Sequence, residues 1–194
     1  MQIQPCAFDG SLHIGAPKVC WVRGLDASNR DIARQQVRQA LQSCVAAELG
    51  CAPSELEVTN VRGQPVQVIR NGLPLSSLHC SISHAPALAL LAWRWNGLVG
   101  VDVQAVDAGA TAPELLATAR LYLDKKSHEA LAQCTHDAHF FEAFSQAWVW
   151  QEARLKCAGL GLVEWSEALD VQLQGMHCMP LVLDKNLKAA VAWR

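Results

Sequence analysis

The most apolar stretch of the chain, residues 85–93, restricts the folds that this sequence can adopt. It is too short to span a bilayer, and Arg94 interrupts it. The turn-forming dipeptide Asn96-Gly97 follows, and a second apolar segment comes directly after it. The pattern therefore predicts two strands, at residues 88–95 and 98–104, joined by a turn.

Two long segments have the periodicity of amphipathic helices. The first begins near Ser28, which is followed three residues later by Asp31, and its apolar positions recur at helical spacing until Gly50. The second covers residues 137–158 and carries large apolar side chains on one stripe. These side chains are Phe140, Phe141, Phe144, Trp148 and Leu155.

Shorter patterns fill the rest of the chain. They predict helices at residues 114–123 and 126–134, and strands at residues 56–61, 66–70, 78–82, 163–165, 169–173, 179–183 and 189–193. Each half of the chain then holds one long helix and several strands. This organisation predicts an α+β fold of two similar lobes, residues 1–100 and 101–194.

Composition argues against several classes of function. The 194 residues carry a formal net charge of -2, which argues against nucleic-acid binding through global positive charge. An anionic ligand must then be held by a local cluster of basic groups. None of the eight cysteines forms a C-x-x-C pair, and residues 1–10 lack the pattern of a secretory signal. We therefore expect a cytoplasmic protein with reduced thiols and with no membrane or nucleic-acid partner.

Two segments carry polar side chains suited to catalysis. On the second predicted strand, Asp102 and Gln104 point to the same face. On the long helix, Glu152 and Lys156 lie four residues apart, on the stripe of Trp148. Two oxygen ligands that face a carboxylate and an ammonium suit a hard cation and a phosphorylated ligand.

The alternative is a polar strand end and an ordinary surface pair of Glu152 with Lys156, which spacing alone favours. The apolar neighbours of Asp102 and the aromatic helix around Glu152 favour the site. A buried acid is costly unless it is paired or bound to a metal.

A serine and a histidine, Ser83 and His84, lie at the end of the predicted strand before Pro86. Their hydroxyl, imidazole and backbone amide groups can bind a phosphate. The alternative is a turn histidine whose ring bonds to a backbone carbonyl. No G-x-S-x-G motif is present, so the pair does not indicate a serine hydrolase. The basic face of the first helix, formed by Arg30, Arg34 and Arg38, is interpreted as solvent-exposed surface.

Four segments occur in the order and approximate spacing found in one enzyme family. Residues 100–104 (GVDVQ) and 148–156 (WVWQEARLK) resemble its Gly-Val-Asp-x-Glu and Trp-x-x-Lys-Glu-Ala-x-x-Lys patterns. Residues 81–85 (SISHA) and 62–65 (RGQP) resemble its Ser-x-Ser-His-Ser and Gly-Lys-Pro segments. On these motifs the chain resembles the Sfp-type 4'-phosphopantetheinyl transferases over residues 33–162.

The resemblance implies a pseudo-dimeric fold of two α+β lobes with the ligand in the cleft between them. It implies a monomer that transfers phosphopantetheine from coenzyme A to a serine of an apo acyl or peptidyl carrier protein, releasing 3',5'-ADP. The implied Mg²⁺ ligands are Asp102, Gln104 and Glu152, and the implied catalytic residues are Glu152 and Lys156. The implied coenzyme A ligands are Gly63, Gln64, Pro65, Ser83, His84 and Lys156.

Three positions that are usually charged in that family are glutamine in this chain: Gln64, Gln104 and Gln151. Two of them replace lysines, and each lost charge-assisted contact to a phosphate is worth about 1.5–3 kcal/mol. A second hypothesis is therefore a catalytically weakened homologue that binds coenzyme A or a carrier protein.

Overall fold

The computed structural model describes residues 1–6, 15–59, 61, 64–86, 88–106, 109–134, 136–184 and 186–194, and these form a mixed α+β fold. The helices are α1 (Arg30–Leu49), α2 (Ala112–Tyr122), α3 (Lys125–Ala132), α4 (Asp137–Cys157) and α5 (Glu167–Leu173). The strands are β1 (Gln2–Pro5), β2 (Lys18–Arg23), β3 (Leu56–Val58), β4 (Val68–Arg70), β5 (Leu73–Pro74), β6 (Leu78–Ala85), β7 (Leu88–Trp95), β8 (Val99–Ala105), β9 (His177–Pro180) and β10 (Leu187–Trp193).

The strands form antiparallel sheets, ordered β1-β2-β7-β6, β8-β10-β9 and β3-β4-β5. The predicted strands β7 and β8 are both present, and Asn96 between them has the positive φ of 55° that turn residues adopt. They nevertheless belong to different sheets. The predicted lobe boundary at residue 100 falls within β8, whose first residue is Val99.

Strand β7 is apolar from Leu88 to Trp93 because both of its faces are buried there. One face, with Leu91 and Trp93, packs in the same core as α1, and the other, with Leu88 and Leu90, packs against the β8-β10-β9 sheet. Helix α4 covers the far side of that second sheet, where Val149 and Ala153 contact β10. Residues 88–93 are therefore apolar because they lie in the middle of the layers.

Close packing of α4 on β8 depends on a glycine. A Cβ atom at Gly100 would lie 2.1 Å from the Ala153 carbonyl oxygen and 2.3 Å from the Cys157 nitrogen. Gly100 and Asp102 share one face of β8, since successive side chains alternate. The glycine thus brings the α4 backbone close to the strand that carries Asp102.

Two serines join the sheets where β6 passes β8. Ser81 Oγ accepts a hydrogen bond from the Val101 backbone nitrogen over 3.1 Å, and Ser83 Oγ accepts one from Val103 over 3.3 Å. These hydroxyls bond to backbone amides that would otherwise need a neighbouring strand. Ser83 is thereby fixed beside Asp102.

Both long helices are confirmed. Helix α1 begins at the N-cap Asn29, whose side chain accepts hydrogen bonds from Asp31 and Ile32, and it ends at Gly50, which has a φ of 64°. The predicted strand at residues 169–173 is wrong, because these residues belong to α5, where Ser166 caps the helix by accepting from the Leu169 nitrogen. The segment alternates apolar and polar residues, but the cap and the acidic first turn favour the helix. The strand at 163–165 is also wrong, since these residues have no regular structure.

None of the helices in the described part of the chain combines the length and apolar character needed to cross a lipid bilayer.

Candidate functional site

A cavity of about 400 Å³ opens where β6, β8 and α4 meet. We call it the acidic cavity, because Asp102 and Glu152 line it together with Ser83, His84, Gln104 and Trp148. Strand β8 supplies Asp102 and Gln104 from one face, and α4 supplies Trp148 and Glu152 from one stripe. The structure therefore brings together the two polar segments that the sequence analysis singled out.

Asp102 is buried, with 6% of its surface exposed, and it accepts hydrogen bonds from two side chains. Ser83 Oγ donates to Asp102 Oδ1 over 2.6 Å, and Lys156 Nζ donates to the same oxygen over 2.7 Å. Lys156 Nζ also lies 3.2 Å from Ser83 Oγ. The three side chains form a closed network in which the serine proton is donated to the carboxylate.

Glu152 lies half-buried near this network. Burial raises its pKa above the ordinary value, the nearby charge of Asp102 raises it further, and Lys156 acts in the opposite direction. A carboxylate with a raised pKa is a stronger base than an ordinary glutamate. Glu152 is therefore suited to accept a proton at neutral pH.

The donors in the acidic cavity fit a hard divalent cation in part. Asp102 and Glu152 offer carboxylate oxygens and Gln104 an amide oxygen, which Mg²⁺ accepts when water and phosphate complete its shell. Within the described residues, no group of three or more acidic, histidine or cysteine side chains could hold a metal ion. The amide of Gln104 would thus have to serve as the third protein ligand.

A second cavity, of about 190 Å³, lies on the other side of His84, and we call it the basic cavity. Arg34 and Arg38 of α1 line it with His84 and Gln64. Burial lowers the pKa of His84 below its ordinary value, and the charges of Arg34, Lys156 and other arginines of α1 lower it further. The imidazole is therefore neutral at pH 7, in a strongly positive surrounding.

The interpretation of the α1 arginines as a solvent-exposed face agrees with the exposure of Arg30 and Arg34, and Arg34 and Arg38 line the basic cavity in addition. Arg34 and Arg38 each lie three residues before a fully buried residue, Val37 and Leu41 respectively. They therefore flank the apolar stripe of α1 and lie beside the neighbouring strand β6. That offset from the buried stripe is a sequence signal that could have identified them. Arg30 lines a further cavity of about 490 Å³ with Arg34 and His84.

The other predicted ligands of coenzyme A divide into three cases. Gln64 and Pro65 line a cavity of about 250 Å³ together with Lys156, so they lie on the same side of the molecule as the network. Gly63 lies outside the described residues. Ser83 donates its proton to Asp102, so a phosphate could use that proton only after the bond breaks.

Gln151, which occupies a lysine position of the family pattern, is buried with 6% of its surface exposed. Its Nε2 atom makes no hydrogen bond to any residue in the described part of the chain. A buried amide without a partner is costly.

Comparison with known proteins gives no match to a family model and no match to a curated protein.

Proposed function

We propose that the protein transfers the 4'-phosphopantetheine group from coenzyme A to a serine of an apo carrier protein, with Mg²⁺. The observation that carries the proposal is the junction at His84 of a cavity with two carboxylates and a cavity with two arginines. Coenzyme A needs such a pair of neighbouring sites, because it combines a diphosphate that binds Mg²⁺ with a separate 3'-phosphate. The proposal includes the two-lobed transferase fold, with α1 and α4 as the long helices of the two lobes.

Asp102, Gln104 and Glu152 are the residues that would hold Mg²⁺ in this proposal. The bound cation supplies charge neutralisation at the diphosphate and at the departing 3',5'-ADP. Gln104 is neutral, so the protein contributes two negative charges rather than three. Water and phosphate oxygens then supply the remaining ligands.

Glu152 acts as the general base of the proposed reaction. It accepts the proton from the carrier serine hydroxyl, whose oxygen then attacks the β-phosphorus of coenzyme A. Lys156 donates hydrogen bonds to phosphate oxygens and stabilises the charge that develops on them. The bond to the leaving phosphate breaks, and 3',5'-ADP departs.

The basic cavity binds the 3'-phosphate in this proposal. Arg34 and Arg38 can each donate charge-assisted hydrogen bonds to it, and neutral His84 can donate one more. Gln64 and Pro65 lie at the edge of the cavities, where the resemblance places the adenine. The arginines compensate for the lysine that Gln64 replaces.

The proposal is tested by following release of 3',5'-ADP from coenzyme A with an apo carrier protein and Mg²⁺. Asp102→Asn should abolish release, because it removes a charge from the proposed metal site. Asp184→Asn is the matched control, since Asp184 is also paired with a basic side chain, that of Arg23, but lies outside the acidic cavity. Full activity of Asp102→Asn would contradict the assignment.

The second candidate function is binding of coenzyme A or a carrier protein with little transfer. The unpartnered amide of Gln151 and the missing charges at Gln64 and Gln104 favour it. The double variant Gln64→Lys/Gln104→Glu separates the two functions, because both positions line the cavities. A large gain in turnover supports the weakened homologue, whereas unchanged or reduced turnover supports a transferase adapted to its glutamines.

A further inference from the structure

A lysine ammonium already occupies the carboxylate that a divalent cation would need. Lys156 Nζ is 2.7 Å from Asp102 Oδ1, and Ser83 donates to the same oxygen. A divalent cation bound by Asp102 would lie within a few ångströms of this ammonium, whichever carboxylate oxygen it used. The two positive charges therefore compete for one buried carboxylate.

Lys156 already neutralises part of the negative charge of the acidic cavity. Asp102 and Glu152 contribute two negative charges, Lys156 contributes one positive charge, and Gln104 contributes none. A cation that enters without an anion meets a site whose net charge is only -1. Its binding is therefore weaker while Lys156 stays on Asp102 than after Lys156 has moved away.

Lys156 has an adjacent space into which its ammonium can turn. Besides contacting Asp102, it lines the cavity of about 250 Å³ that contains Gln64, Pro65 and Ser81. Its side chain is 29% exposed, against 9% for that of Asp102, and its four-carbon stem is flexible. The ammonium can thus leave Asp102 while its stem stays in place.

We infer that Lys156 makes divalent-cation binding at Asp102 depend on a phosphorylated ligand. The inference rests on the proposed function, in which that ligand is a nucleotide diphosphate such as coenzyme A. Phosphate oxygens that enter beside Lys156 accept hydrogen bonds from Nζ, and the ammonium then leaves the carboxylate free. By linkage, the cation and the phosphorylated ligand strengthen each other's binding by the same factor.

The test measures binding of Mn²⁺, used as the probe cation, by calorimetry with and without coenzyme A. In the wild-type protein coenzyme A should tighten Mn²⁺ binding by about 5- to 150-fold, the usual range for coupled sites. Lys156→Met should bind Mn²⁺ without coenzyme A about tenfold more tightly than wild type. The coupling factor should fall by the same tenfold, which leaves only the coupling that arises because phosphate oxygens ligate the cation.

Two further variants distinguish the contact between Lys156 and Asp102 from the effect of the total charge of the protein. Ser83→Ala keeps every charge but removes a partner of both Lys156 and Asp102, so it should also tighten Mn²⁺ binding in the absence of coenzyme A. Arg154→Met removes the same charge from the same helix outside the acidic cavity. It should leave the coupling factor at its wild-type value.

Several results would overturn the inference. The first is that the wild type, Lys156→Met and Ser83→Ala bind Mn²⁺ with equal affinity. The second is that coenzyme A tightens Mn²⁺ binding by as large a factor in Lys156→Met as in Arg154→Met. If Lys156→Met does not fold, as judged by circular dichroism, Ser83→Ala decides the question. Failure of this inference can be distinguished from failure of the proposed function. If the protein has no transferase activity, Lys156→Met and Ser83→Ala can still bind Mn²⁺ more tightly than the wild type does.

Discussion

The two long helices line adjoining cavities that differ in charge and in exposure to solvent. Helix α1 lines the basic cavity, and helix α4 lines the acidic cavity. Helix α1 offers Arg34 and Arg38, which lie at the edge of its buried stripe beside the basic cavity. Helix α4 offers Glu152 and Lys156, which lie half-buried next to the buried Asp102. The α1 side can hold an anion through exposed cations, whereas the α4 side combines acids and a cation where water is partly excluded.

Because of this difference, we expect the two sides to respond differently to substitution. The α4 side depends on close packing, since its charges are positioned by a helix backbone in contact with a strand. The α1 side depends on the number of positive charges near the ligand.

The largest effect is expected from Gly100→Ala on the α4 side. The new Cβ would overlap the Ala153 carbonyl oxygen and the Cys157 nitrogen, so α4 has to move away from β8. Overpacking against backbone should cost about 3 kcal/mol of the free energy of unfolding, measured by urea denaturation.

Gly161→Ala is the matched control for that substitution. No described atom lies within 4 Å of a Cβ at Gly161, so the change should stay within about 0.5 kcal/mol. Equal stability of the two alanine variants would show that contact at Gly100 does not set the distance between α4 and β8.

A smaller effect is expected from Arg34→Gln/Arg38→Gln on the α1 side. Loss of two charge-assisted contacts should weaken coenzyme A binding by about 3 kcal/mol, the lower end of the range for two contacts because Arg34 is exposed, with little effect on the free energy of unfolding. The pKa of His84 should rise toward its ordinary value of 6.5, because both arginines lower it. Calorimetry and NMR titration of the imidazole give the two readings.

Arg23→Gln/Arg120→Gln removes the same total charge from other surfaces and serves as the control. It should leave both coenzyme A affinity and the pKa of His84 near their wild-type values. A comparable loss of affinity in this control would attribute the effect to net charge rather than to the basic cavity.

The smallest effect is expected in the pH dependence of the free energy of unfolding. Glu48 of α1 and Glu152 of α4 should change this dependence in opposite directions. Glu48 of α1 is partly buried, but hydrogen bonds from Trp93, Lys18 and Trp95 hold its pKa below the ordinary 4.5. Its stabilisation is therefore present above pH 4.5 and is lost as the pH falls through the folded-state pKa. Burial raises the pKa of Glu152 above 4.5, so its charged form costs stability as the pH rises through that higher value.

Urea denaturation across this pH range checks the signs. The wild-type protein should lose stability on acidification because of Glu48, and Glu48→Gln should not show this loss. The wild-type protein should also lose stability as the pH rises above 4.5 because of Glu152, and Glu152→Gln should not show that loss. Each effect should amount to about 1 kcal/mol. The same sign for both variants would contradict the assigned surroundings of the two carboxylates.

The α4 side of the site could be predicted from the sequence for a physical reason. An acid such as Asp102 within an apolar strand is unusual enough to indicate a pairing or a ligand. The α1 side could not be predicted with the same rule, because arginines spaced by four residues are also typical of a solvated helix face. Only the position of Arg34 and Arg38 relative to buried Val37 and Leu41 distinguishes the two cases.

The bond between Ser83 and Asp102 could not be predicted either. It depends on how β6 and β8, which belong to different sheets, pass each other, and sequence patterns carry no register between sheets. The contact of Gly100 with α4 has the same origin. The mixed α+β character and the two long helices were predictable, because their signals are local periodicity and capping.

The intact mass of an apo acyl carrier protein is the first quantity to measure. The carrier is incubated with this protein, coenzyme A and Mg²⁺, with an active transferase as a parallel control. The carrier should gain one phosphopantetheine group, and EDTA or Glu152→Gln should prevent the gain. An unchanged mass for several carriers, while the control enzyme modifies them, would contradict the proposed transfer.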